Sequence, residues 1–223
     1  MRRWFSRHRA TVLPNSLLDE MKKKKTVVLE GNIGSGKSTL LENLKGEMEN
    51  VIIRTEPIEL WQNIAGINLL QERYEDPKKW SFLLQSYIQV TMAKLQKEPI
   101  GNNTLLIERS IWSARYVFAE YLLEQQHITD VEMAVLDEWF KFIQQQKDMK
   151  IDLIIYLEVS PEECLSRIKK REETTVKQPS LLYLKRLQEL YSKWLQKQEH
   201  PVMYITEATT KEDVKNEIRK LWR

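Results

Sequence analysis

The octet Gly31-Asn32-Ile33-Gly34-Ser35-Gly36-Lys37-Ser38 fits G-x-x-x-x-G-K-[ST] at every fixed position, and it follows the apolar run Thr26–Leu29 directly. Glycines at this spacing let successive backbone N–H groups point into one concavity that holds phosphate oxygens. A helix starting there adds its positive N-terminal end. Lys37 is expected to reach the β- and γ-phosphates of a nucleoside triphosphate, and the Ser38 hydroxyl to ligate Mg²⁺. Thr39, the next residue, is counted with the loop as nucleotide-binding. Thr39-Leu40-Leu41 and Leu44 carry the 3.6-residue rhythm of the expected helix.

Two further groups stand at the ends of apolar runs: Glu56 after Val51-Ile52-Ile53, and Glu108-Arg109 after Thr104–Ile107. Transfer of a phosphoryl group to a hydroxyl needs a proton acceptor, cations against the phosphate charge, and a held Mg²⁺. Glu56 can be the base, Arg109 a cation, and Ser38 with Glu108 the metal holders. The plainer alternative makes Glu56 a turn cap and Glu108-Arg109 a surface pair. An intact phosphate loop in the same chain favours the chemical reading.

These residues require a scaffold that brings strand ends together. Strand signals at 26–29, 51–53, 104–107, 152–157 and 202–205 alternate with helical ones at 36–47, 77–97, 111–125, 130–147, 180–198 and 210–222. Residues 58–72 read as a broken helix interrupted at Gly66 and Asn68, and Ser160-Pro161-Glu162-Glu163 as a capped helix start. The alternation implies an α/β fold: a P-loop three-layer sandwich with a five-stranded parallel sheet and helices on both faces. Ligands in such sheets bind beyond the carboxyl ends of the strands, here Glu30, Glu56, Glu108-Arg109 and Glu158.

Longer stretches carry a resemblance. Thr55-Glu56-Pro57-Ile58-Glu59-Leu60-Trp61, Tyr74-x-Asp76-Pro77-Lys78-Lys79-Trp80, Gln85-Ser86-Tyr87, Glu108-Arg109-Ser110-Ile111-Trp112-Ser113-Ala114-Arg115-Tyr116 and Asp152–Leu157 look like the deoxynucleoside kinases, in order and spacing across roughly residues 26–200. The resemblance implies ATP- and Mg²⁺-dependent phosphorylation of a deoxynucleoside 5′-hydroxyl. By position, Glu56 resembles the base, Arg109 the arginine at the hydroxyl and incoming phosphate, and Glu108 the acid that helps hold Mg²⁺. Gln85 is similar to the amide that reads the base, Trp61 and Phe118 to the walls of the base slot, and Tyr74 to the tyrosine that bonds the sugar 3′-hydroxyl. Ile88, Met92 and Ala114 stand where the family lines the base pocket. That apolar trio resembles the thymidine-accepting and insect branches, so a pyrimidine, thymidine or deoxycytidine, is the expected substrate.

Arg167-Ile168-Lys169-Lys170-Arg171 resembles the family's lid. Arg167 and Arg171 are expected to act on the transferring phosphate, and Lys169 to contact the nucleotide. Beyond Arg171 the chain departs: Glu173 stands for an arginine and Val176 for the sugar-binding glutamate. Arg73 stands where methionine is more usual. The resemblance also implies a homodimer through the helices around 77–98 and 111–147.

With 223 residues, 42% of them hydrophobic and 30% charged, the balance is that of an ordinary globular domain. Residues 1–25 hold eight basic side chains against Asp19 and Glu20, a surplus of six charges, so the overall +3 leaves the remainder at −3. Nucleic acid and membrane are therefore not expected partners. The expected organisation is a basic leader over 1–25, disordered or a transit peptide, and one kinase domain over 26–223. Location is left between cytoplasm and mitochondrion. Cys164 stands alone and is read as a packed thiol. Two other readings stay open: a thymidylate-type nucleoside monophosphate kinase, and a catalytically weak P-loop structural subunit.

Overall fold

The computed structural model describes residues 25–170, 178–206 and 210–221. The basic leader, Arg171 and the atypical stretch from Glu172 to Lys177 lie outside the described residues. Five strands, β1 (Lys25–Gly31), β2 (Val51–Arg54), β3 (Thr104–Glu108), β4 (Leu153–Leu157) and β5 (Val202–Ile205), form one parallel sheet in the order β2-β3-β1-β4-β5. β1 is central: Val28 pairs with Ile107 on one side and Ile154 on the other.

Side chains alternate across the sheet, as strand geometry demands. Val28, Leu105, Ile107, Ile154 and Tyr156 face one hydrophobic cluster; Val27, Leu29, Leu106, Ile155 and Leu157 face another. The first is closed by α4 (Pro77–Lys97), α6 (Asp130–Gln144) and α8 (Leu181–Leu195), through Leu84, Met92, Phe140, Leu187 and Tyr191. The second is closed by α1 (Lys37–Leu44) and α9 (Lys211–Lys220), through Leu41, Leu44, Val214 and Ile218. Helices cover both faces, which is the expected three-layer arrangement.

The helix starts follow local chemistry. Asp76 caps α4, accepting from the Lys79 N–H at 3.3 Å, with Pro77 in the first turn. Ser160 caps α7 (Pro161–Lys170), accepting from the Glu163 N–H at 3.2 Å.

Three expectations need adjustment. The first helix stops at Leu44 rather than 47, because Lys45 is extended and Gly46 takes φ 74°. The broken helix is two helices, α2 (Ile58–Gln62) and α3 (Leu69–Glu75), hinged by a turn that pairs Ile64 with Ile67 and puts Ala65 and Gly66 at φ 50° and 83°. The helix over 111–124, α5, is α-helical at Ile111–Ser113, π-helical at Ala114–Ala119 and α-helical again at Glu120–Glu124. A π segment widens the turn by one residue and often accompanies a functional site.

Candidate active site

The phosphate loop joins β1 to α1. Gly34 has φ 81° and lies against α7, where a Cβ would sit 2.6 Å from the Cys164 carbonyl oxygen and 2.7 Å from Ile168 Cγ1. Both the left-handed backbone and the close approach require glycine. Gly34→Ala is expected to lower the thermal midpoint by several degrees and to weaken ATP binding at least tenfold, measured by thermal denaturation and titration calorimetry.

Asn32 is fully buried and donates from Nδ2 to the Leu184 carbonyl at 2.8 Å, tying the loop to α8. Its Oδ1 accepts from the Ile33 N–H at 2.9 Å. Lys37 Nζ donates to the carbonyls of Gly31 at 3.1 Å and Asn32 at 2.9 Å, which holds the ammonium across the loop. Burial, reinforced by repulsion from Arg109, pushes Lys37 down to about 8; Glu56, Glu108 and Glu30 oppose that fall. Arg167 Nη1 donates to the Ser35 carbonyl at 3.0 Å while its Nε pairs with Glu163 at 2.8 Å. Cys164, Arg167 and Ile168 thus share the face of α7 that meets the loop. Lys169 is exposed and two residues on from Arg167, so it faces away from the loop; helical periodicity puts it there.

Ser38 Oγ donates to Glu108 at 3.1 and 3.4 Å from the two carboxylate oxygens. Among the described residues no group of three His, Cys, Asp or Glu side chains could cage a metal. One carboxylate and one hydroxyl beside a phosphate loop still suit Mg²⁺, which keeps several waters and binds through few protein ligands plus substrate phosphates. The donor set fits that ion.

A second group of candidate residues begins two residues beyond β2 and immediately beyond β3. Arg109 Nε donates to Glu56 Oε2 at 2.9 Å. Arg109 has φ 61°, and its N–H donates to the Leu29 carbonyl at 2.9 Å, extending the β1–β3 ladder by one rung. Its guanidinium also lies 4.6 Å from the Phe118 ring centre. Burial pushes the Glu56 carboxyl up, and Arg109, then Lys37, pull it back. The surrounding carboxylates, Glu56 first, raise Arg109 against the opposing effect of burial.

Next to this pair opens a cavity of about 250 Å³ lined by Glu56 and Arg109 and by Trp61, Tyr74, Gln85, Ile88, Met92, Ala114 and Phe118. All seven expected substrate-binding residues therefore meet in one place. Gln85, Ile88 and Met92 share one face of α4 at helical spacing, and Ala114 and Phe118 come from the π segment. Trp61 Nε1 donates to Thr91 Oγ1 at 2.9 Å, which fixes its ring against α4. Gln85 is 4% exposed, and its Oε1 has no hydrogen-bond partner among the described residues. A buried amide oxygen left so is expensive unless something in the cavity donates to it.

The same cavity is lined by Arg73, whose guanidinium lies 4.2 Å from the Tyr74 ring, and by Tyr183 of α8. Tyr183 escaped the sequence reading because it lies in no motif, about 60 residues along the chain from the rest of the cavity lining. Tyr191 and the role of Glu30 escaped it too. Glu30 is fully buried; it accepts from Ser110 Oγ at 2.7 Å and Tyr191 OH at 3.2 Å. Burial pushes its carboxyl up to about 7, with Arg109 the main opposing influence. A native value above the unfolded one means stability held in acid is lost as pH rises from the ordinary carboxyl value of 4.5 through about 7. Glu30→Gln removes that titration. Its thermal stability relative to wild type is expected to improve between pH 5 and pH 8, by on the order of 3 kcal/mol at most, read from denaturation at the two pH values.

The comparisons with known proteins agree with this geometry. The family description "Deoxynucleoside kinase" matches residues 27–223. Human mitochondrial thymidine kinase 2 is 40% identical over 176 residues, covering 79% of this chain and 66% of that protein. Xenopus laevis mitochondrial deoxyguanosine kinase is 35% identical over 202 residues, with 81% and 76% covered, and Xenopus laevis deoxycytidine kinase 1 is 34% identical over 197 residues, with 78% and 74% covered. The chain thus spans just under two-thirds of the human relative's length. A match that runs through the phosphate loop, Glu56, Arg109 and the cavity alike leaves one conclusion: the chain belongs to the deoxynucleoside kinase family.

Proposed function

We propose that the protein transfers the γ-phosphate of ATP to the 5′-hydroxyl of a pyrimidine deoxynucleoside. The observation that carries this is the Glu56–Arg109 pair, 2.9 Å apart, between the phosphate loop and a cavity whose buried Gln85 amide oxygen has no hydrogen-bond partner among the described residues. Glu56 takes the hydroxyl proton as the oxygen bonds to phosphorus and ADP leaves with the electrons of the broken P–O bond. Lys37, Arg109 and Arg167 supply positive charge around the phosphoryl group. Ser38 and Glu108 would hold Mg²⁺, whose part is to offset charge on the phosphate oxygens. Arg171 and Lys169 remain proposed lid cations, the former outside the described residues. Trp61 and Phe118 stack the base, and Tyr74 serves the sugar.

The amide of Gln85 presents one acceptor and one donor, which suits the edge of thymine or cytosine. Gln85→Leu is expected to lower kcat/KM for the preferred nucleoside about 10- to 100-fold with KM for ATP unchanged, in steady-state assays. The test of the function is purified protein with Mg-ATP and each of the four deoxynucleosides. Absence of any 5′-monophosphate product overturns it, and ATP binding without turnover supports the structural-subunit reading instead. Thymidylate outcompeting thymidine as acceptor would support the monophosphate kinase. Among the described residues, that reading has only Arg73 as an added cation in the cavity.

A homodimer is proposed on the apolar stripe of α6. Val131, Val135, Trp139 and Phe142 are 74%, 41%, 49% and 62% exposed at helical spacing, with Leu83 of α4 46% exposed. No helix among the described residues is long and apolar enough to cross a membrane. Mitochondrial or cytoplasmic placement is a further proposal. The mitochondrial names of two relatives and the basic first residues favour the former.

A further inference from the structure

Tyr191 lies in the third turn of α8, fully buried, more than 80 residues along the chain from Arg109. Its hydroxyl accepts from Arg109 Nη1 at 2.7 Å and donates to Glu30 Oε2 at 3.2 Å. The other Glu30 oxygen accepts from Ser110 Oγ at 2.7 Å, and Ser110 is joined to Arg109 by a peptide bond. The chain of contacts therefore closes into a ring: guanidinium, phenol, carboxylate, serine and back to the arginine backbone.

The ring has little freedom. Tyr191 packs against Tyr156 at 5.4 Å and Trp194 at 6.2 Å between ring centres, with the edge of Phe118 at 6.5 Å. Glu30 is fixed on the central strand β1. A guanidinium carries five N–H donors in a rigid plane. With Nε on Glu56 and Nη1 on Tyr191, the plane is set by two separate partners. Nη2 makes no hydrogen bond among the described residues and is the edge left to meet a phosphoryl oxygen. Arg109 also holds φ 61°, a backbone conformation that persists only where surrounding contacts over-determine it.

We propose that Tyr191, anchored by Glu30, is a positioning residue that fixes the plane of the Arg109 guanidinium for phosphoryl transfer. Its place in α8 extends the consequence. The same helix receives Asn32 of the phosphate loop through the Leu184 carbonyl at 2.8 Å, so one rigid element sets both the donor loop and the arginine that meets the acceptor. The inference rests on the reading of Arg109 as a cation of the transfer. The ring itself does not depend on that reading.

Tyr191→Phe removes the hydroxyl and keeps the packed ring. The expected result is a 10- to 100-fold fall in kcat, with KM for nucleoside and for ATP within about twofold of wild type. Glu30→Gln should produce a smaller fall. The double variant should be no slower than the slower single one, because the two act through one guanidinium. The arginine side-chain Nε–H signal of Arg109, assigned through Arg109→Lys and followed by nitrogen-15 NMR, should shift or broaden in both single variants. Tyr191→Phe with kcat within twofold of wild type, or an unmoved Arg109 signal, overturns the proposal. Should Tyr191→Phe fail to fold, the Glu30→Gln signal decides the same question. Wild-type protein that phosphorylates no nucleoside defeats the activity reading alone, since the Arg109 signal still reports whether the ring sets the guanidinium.

Discussion

A Glu56→Gln enzyme is expected to turn over about 10²- to 10⁴-fold more slowly than the parent chain while binding Mg-ATP with the same affinity. Glutamine keeps the size of the side chain and an oxygen for Arg109 Nε, now at 2.9 Å from Glu56, but cannot take a proton from the nucleoside hydroxyl. The pH profile gives the sharper reading. Burial raises the Glu56 carboxyl above its ordinary range, so the ionised base is gained as pH rises through that elevated value. The wild-type rate should climb along this acid limb, and the limb should vanish in Glu56→Gln. A variant that kept full turnover, or kept the same limb, would show that the base is another group.

Arg109→Gln should cost about 10³-fold in kcat or more, in the range found when an arginine that offsets transferring phosphate charge is removed. It should also do something a merely supportive cation would not. Arg109 is the main influence holding the Glu56 carboxyl down against burial. Without it, Glu56 rises further, and the residual activity should show its acid limb displaced to higher pH. Arg109→Lys separates charge from shape: lysine supplies a cation but no fork to span Glu56 and Tyr191, so it should restore the position of the limb better than it restores kcat. Rate–pH profiles of the three proteins with saturating nucleoside and ATP decide the matter.

What the sequence revealed follows the range of each signal. The phosphate loop is contiguous, and its glycines and lysine declare themselves by spacing. The strands are short apolar runs, and a parallel sheet buried on both faces leaves no ambiguity about which runs they are. Glu56, Glu108 and Arg109 were singled out because each stands at a strand end, where chain direction alone fixes the location. Gln85, Ile88 and Met92 were singled out through resemblance rather than periodicity, since they look like any buried face of α4, and the structure places them together along one cavity. Tyr183 and Tyr191 had no such route. An aromatic residue at helical spacing reads as core, and only the three-dimensional path of α8 shows that two of them turn toward the site. The π turn was equally hidden, because Ala114–Ala119 has the composition of an ordinary helix. Lys169 was chosen for its charge alone, and the helix places it, exposed, on another face from Arg167.

The central position of β1 has a consequence for how the protein is made. Its partners β3 and β4 begin at Thr104 and Leu153, so the strand that bears the phosphate loop leaves the ribosome long before either neighbour exists. Until residue 157 has emerged, β1 is an apolar segment with an open edge on at least one side. Such a nascent chain invites wrong pairing and depends on late, long-range closure. Early-terminated chains should therefore aggregate rather than persist as partial kinases, and any ligand of the phosphate loop can capture only molecules in which the sheet has already closed around its first strand.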